Sequence, residues 1–234
     1  LLTNDHKAIQ EVARNFARDQ IAPHVRKWES AGGPPKTLYK EMGDVGLMGM
    51  CIDPTYGGSG LDFMSYVVAM EEIAAVDGGI SNMMSSNNSP VAAGIARYGT
   101  EEQKQRFLPS LCAGTTLGSV HLTEPHTGSD AASITTRAVR DGDEYVIDGH
   151  KAFITAGSTS DVAMIVAITN PGAGSSGISV FLTPTENPGY QVLAVEKKLG
   201  HRTNDLCQIR YDEMRVPASD LLAVSYTHLR AHET

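Results

Sequence analysis

The sequence predicts an α+β protein, with a helical first half followed by a β-rich second half. Two observations carry this reading: apolar residues recur at helical spacing up to about residue 114, and beyond it alternation between turn-forming clusters takes over. The boundary is placed near Gly114, giving a helical domain over 1–114 and a β domain over 115–222.

In the first half, Ile9, Val12, Ala13, Phe16, Ala17 and Ile21 share one helical face behind Thr3, a cap residue, and Pro23 stops that helix. A shorter helix covers about 35–45, with Leu38, Met42 and Val45 on its stripe and Gly46 as its stop signal. Tyr56-Gly57-Gly58-Ser59-Gly60 is too glycine-rich for helix or strand, and helical spacing resumes at Val67, Met70 and Ala74 behind an Asp62 cap. Ser89-Pro90 reads as an N-cap and first-turn proline opening a helix over 91–98. Thr100-Glu101-Glu102-Gln103 is a capping box, and it opens one more helix to about Leu111.

In the second half, runs 134–140 and 145–151 flank Asp141-Gly142-Asp143, the composition of a tight hairpin turn. Further β-rich runs cover 162–168, 178–183, 192–197 and 208–211, separated by Gly, Pro, Asn and Ser clusters.

Composition narrows the function. The 234 residues are 41% hydrophobic, enough for a real core, and carry a net charge of −8. Such an acidic balance argues against nucleic acid or a membrane surface as partner, because both call for clustered Lys and Arg. No run approaches the roughly 18 apolar residues that a membrane span needs. Cys51, Cys112 and Cys207 are scattered, without disulfide or zinc-finger spacing, which fits a reducing compartment: the cytoplasm, or the mitochondrial matrix in a eukaryote. His121 and His126 lack a third ligand at sensible spacing, so no metal site is expected. The chain opens Leu1-Leu2-Thr3 without Met, as a piece of a longer sequence would.

Leu122-Thr123-Glu124-Pro125-His126-Thr127-Gly128-Ser129-Asp130 holds the chemistry. Its hydroxyls and the N–H groups around Gly128 suit a phosphate or a pyrimidine-like carbonyl, and they equally suit ordinary turn capping.

Thr123-Glu124-Pro125 with Gly128-Ser129-Asp130, then Asp143-Glu144-Tyr145, Gly149, Lys151 and Phe153-Ile154-Thr155, closely resembles the flavin-binding signature of the acyl-CoA dehydrogenase family. Tyr56 to Gly60, Gly99-Thr100-Glu101-Glu102-Gln103-Lys104, and Lys198-Leu199-Gly200 with Arg202 follow in the family's order, so the resemblance covers residues 1 to about 222. It implies a three-domain FAD enzyme: a helical N-terminal domain, an antiparallel β-barrel middle domain, and a C-terminal four-helix domain absent from this chain. Such enzymes oxidise an acyl-CoA thioester to the 2,3-enoyl-CoA: a glutamate takes the α-proton and flavin accepts the β-hydride. Their electrons pass to an electron-transfer flavoprotein, and they are homo-oligomers.

Carried over by position, the resemblance assigns the Leu122 backbone and Thr123 to the flavin pyrimidine edge, Ser129 to the pyrophosphate, and Thr155 to the neighbourhood of N5. Phe153, where relatives often have tryptophan, covers one side of the flavin; ordinary barrel core is the other reading. Met83 and Ser86 fall on the helix lining the acyl pocket, although Met83 also reads as plain core. Ser129 and Arg202 are further substrate candidates. Arg202 stands in a basic cluster with Lys197, Lys198 and His201 that either faces CoA phosphates or is a solvated face.

Asn204 and Leu206 depart from the Ser and Thr common in relatives. The resemblance puts the catalytic glutamate beyond Thr234, so no catalytic residue is named, and it gives Glu124 the role of fixing its turn. Residues 223–234 match nothing in the family and read as adaptor-derived sequence expected to project unpacked. Such a piece is expected to bind FAD weakly or not at all and to aggregate. A same-fold acyl-CoA oxidase or flavin monooxygenase, and a non-catalytic acyl-CoA or protein-binding module, are the alternative functions.

Overall fold

The computed structural model describes residues 2–223, so the tail singled out above lies, but for Ala223, outside the described residues. Helix α1 (Asn4–Phe16) starts at a capping box between Thr3 and His6 and runs on as a π-helical turn over Ala17–Ile21. Then come α2 (Val25–Ala31), α3 (Lys36–Asp44), α4 (Phe63–Val76) and α5 (Gly78–Ser86). A π-helical segment at Asn87–Ala92 leads into α6 (Ala93–Tyr98), and α7 (Glu101–Cys112) begins at the predicted Thr100–Gln103 capping box.

Val12 and Val45, expected on the apolar stripes of their helices, are exposed, and two further readings of this half need correction. Pro90 does not open a helix: it sits inside continuous helical structure, where the wider π turn gives room to a ring that would crowd an α-helix. On α4 the buried face is Ser65, Tyr66, Val68, Ala69 and Ile73, while Val67 is exposed. That helix is apolar nearly all round, so its spacing alone does not select a face.

The second half forms one eight-stranded sheet in the order β6-β7-β3-β2-β4-β5-β8, with β1 attached to β4. Its strands are β1 (Gly118–His121), β2 (Arg137–Asp141), β3 (Glu144–Thr155), β4 (Val162–Ile168), β5 (Ile178–Pro184), β6 (Tyr190–Val195), β7 (Leu206–Pro217) and β8 (Leu221–Ala223). The predicted β2–β3 hairpin is present, with Asp141 opposite Glu144.

Among the described residues the expected barrel is not closed, and the sheet is mixed rather than antiparallel, because β1 and β2 both run parallel to β4. β2 meets β4 only at Arg137 and Ile168. Closure needs a consistent register around the whole ring, which alternation within single strands does not encode.

Strand β4 explains how the halves join. Val162, Met164 and Val166 pack with Val91, Ile95, Phe107 and Leu111 of the helices, whereas Ala163, Ile165 and Ala167 turn to a second core with Phe181, Ile209 and Tyr211. A strand covered on both faces reads as an unbroken apolar run, as 162–168 does. The helices α1, α3, α4 and α5 share a third core around Met42, Ile73, Ile80 and Met84.

Candidate functional site

A cleft opens where the end of α5 and the π segment meet β1 and β3. Its anchor is Asn87, wholly buried, whose amide donates to Met48 O (3.2 Å) and Leu111 O (3.0 Å) and whose carbonyl accepts from Gly118 N (3.1 Å). Asn88 binds Leu47 O, Met84 O and Met50 N in the same manner. The first residue of β1 has to be glycine here, since a Cβ on Gly118 would lie 2.5 Å from Val91.

The cleft wall comes from an irregularity in β3. Its pairing with β7 shifts register between Lys151 and Ile154, and Phe153 within that bulge has φ 57°, a left-handed conformation rare for a bulky residue. The bulge turns Phe153 out, 59% exposed, while Lys151 and Ile154 stay buried. Phe153 therefore does not pack in the sheet core. With Asn82, Ser85, Ser86, Pro90, Val120 and Thr155 it lines a cleft of about 210 Å³. The Asn82 amide and Thr155 hydroxyl have no partner among the described residues. An aromatic face beside unpaired polar groups fits a planar heteroaromatic ring with hydrogen-bonding edges, such as an isoalloxazine.

Next to the cleft, the turn after β1 is tied down by Glu124, which is fully buried. Its carboxylate accepts from Lys151 Nζ (2.9 Å), Thr135 N and Oγ1 (both 2.7 Å) and Thr136 N (3.0 Å). Burial opposes its charge, but the Lys151 ammonium and the hydrogen bonds hold its pKa at about 2. Lys151 is buried as well, and burial lowers its pKa to about 8 against the pull of Glu124. Deeper inside, His121 hydrogen-bonds Tyr211 OH (2.6 Å) and Ser119 Oγ (2.7 Å). Burial, with a smaller push from Lys151, lowers the His121 pKa from 6.5 to about 3, so the ring is neutral.

Residues 3–115 match the acyl-CoA dehydrogenase N-terminal domain and residues 119–214 match the middle domain of the same family. The chain belongs to the acyl-CoA dehydrogenase family. It is 39% identical over 222 residues to a probable acyl-CoA dehydrogenase of Bacillus subtilis, covering 94% of this chain and 58% of that protein. A glutaryl-CoA dehydrogenase of Mycobacterium smegmatis, solved in complex with FADH2, superposes with a TM-score of 0.89 at 37% identity over 96% of this chain and 56% of its own. A chain in a structure described as the electron transferring flavoprotein of Acidaminococcus fermentans gives 0.92 at 37% identity over 96% of this chain and 59% of that one. The chain thus spans less than two thirds of the length of these relatives.

Against the family roles, the structure gathers Ser86, Phe153 and Thr155 at one cleft. Leu122 and Thr123 follow β1 directly, and Ser129 lies exposed on the turn that Glu124 pins. Met83 is elsewhere, buried in the helical core beside Tyr39 and Leu117. Arg202 does not line the cleft either; it pairs with Glu29 at 3.1 Å. Its neighbour Lys198 turns inward onto His201 O, Asn204 O and Asn204 Oδ1, while Lys197, Lys198 and Arg202 together line a separate open pocket of about 280 Å³. Sequence reasoning passed over Asn82, Ser85, Pro90 and Val120, whose only signal was proximity to Ser86 and β1. It also missed Asn87-Asn88, where two adjacent carboxamides within helical spacing are the visible sign.

Proposed function

We propose that the chain forms the flavin- and substrate-binding portion of an FAD-dependent acyl-CoA dehydrogenase. The observation that carries this is the β3 bulge, which sends Phe153 and Thr155 into a cleft with Ser86. FAD, when bound, supplies the hydride acceptor. Phe153 covers a ring face and keeps water from it, Thr155 donates near the reacting end, and the Leu122–Thr123 backbone with the Thr123 hydroxyl meets the pyrimidine edge. Ser129, on the exposed turn, is the candidate for the pyrophosphate. Met83, buried in the helical core, and Arg202, paired with Glu29 in a separate pocket with Lys197 and Lys198, lie away from this cleft, so any substrate contact from either is made outside it. Electrons then leave to an electron-transfer flavoprotein.

The test is expression of the reading frame through to its own stop codon, followed by anaerobic addition of acyl-CoAs of graded length. Copurified FAD, bleached by at least one acyl-CoA and reoxidised faster by an electron-transfer flavoprotein than by air, is the expected outcome. A protein without flavin, or one whose flavin no acyl-CoA bleaches, refutes the reading; reoxidation fastest in air makes it an oxidase.

A further inference from the structure

The short segment Leu122–Thr123 lies outside regular strand, yet both of its carbonyls are committed. Lys151 Nζ donates to Leu122 O at 3.0 Å, and Ala152 N donates to Thr123 O at 2.9 Å. Leu122 O and the Thr123 N–H belong to one trans peptide unit, so they point in opposite directions. Anchoring the carbonyl on Lys151 therefore aims the Thr123 N–H away from the buried pair. That N–H has no acceptor among the described residues.

The anchor is itself anchored. Lys151 and Glu124 are both fully buried at 2.9 Å, and Thr135 and Thr136 hold the remaining faces of the carboxylate. Burying such a pair is expensive, and apolar replacements of similar volume are often as stable or more so. Folding alone does not account for it.

We propose that Lys151 and Glu124 are positioning residues for the flavin: the ion pair clamps the Leu122–Thr123 peptide and presents the Thr123 N–H to the pyrimidine edge. This rests on the FAD site proposed above. The bulge that follows Lys151 couples the clamp to Phe153, so one strand fixes the ring's edge donor and its aromatic cover together.

The double variant Glu124→Gln/Lys151→Met removes both charges at nearly constant volume, in the protein expressed from its complete reading frame and loaded with FAD. The expected result is parental or higher thermal stability, an FAD dissociation constant raised about tenfold for one misaligned hydrogen bond, and a lowered flavin midpoint potential. The potential falls because reduction gathers charge at the edge that has lost its aligned donor. A folded double variant with parental affinity and potential overturns the clamp. Hydrogen exchange at the Thr123 amide of the parent serves if the variant does not fold: slowing on FAD binding is expected, and an amide that stays fast with FAD bound overturns the proposal. A parent that carries no FAD refutes the flavin site itself and the clamp with it.

Discussion

His121 shows what a buried ring does to pH dependence. Its two nitrogens are taken by Tyr211 and Ser119, and its pKa of about 3 in the fold compares with 6.5 in an unfolded chain. Between those values the unfolded chain binds a proton that the folded one refuses, so stability is full above 6.5 and is lost as pH falls toward 3. The expected loss is about 2 kcal/mol by pH 5, read from urea unfolding at a series of pH values; His121→Gln should flatten that slope. Glu124, depressed to about 2, adds its own loss only at lower pH. At this scale the sequence was legible for residue types but not for direction. Simple alternation puts Lys151, Phe153 and Thr155 on one face of β3; the bulge after Lys151 separates it from the other two, and nothing in the local composition announces a bulge.

Between elements, the decisive contacts are polar and long-range. Asn87 ties the loop at Met48, the end of α7 at Leu111 and the start of β1 at Gly118 to the π segment. Asn87→Ala leaves the buried Gly118 N–H and the Met48 carbonyl unpaired, Leu111 O keeping its bond from Gly114 N, which should cost about 2–4 kcal/mol, measured as a lowered denaturation midpoint; a change below measurement error would show that water replaces the side chain. The N-cap at Thr3, the capping box at Thr100 and the β2–β3 hairpin were legible because their causes lie within a few residues of chain. The continuity of helix through Pro90 was not, since it depends on Asn87 and Asn88 holding the segment from outside. Sheet closure was illegible for the same reason: register between β2 and β4 is set by elements far apart in sequence.

Over the whole molecule, the weak point is the sheet edge. Among the described residues β6 ends the strand order, and Val192, Leu193 and Val195 on it are 42%, 50% and 54% exposed. An apolar edge with unpaired backbone groups is a template for another chain, whereas natural edges usually carry charges or proline. The net charge of −8 opposes association but acts only over about 8 Å at physiological salt. The chain of 234 residues, expressed alone, should therefore self-associate, and more strongly as salt is raised, when followed by light scattering. Leu193→Lys/Val195→Lys separates the two causes. The substitutions weaken the net repulsion, so more association in the variant would mean that overall charge governs the behaviour. Less association, with an unchanged circular dichroism spectrum, would place the cause at the β6 edge, because charge on an edge strand blocks pairing even where it reduces the total.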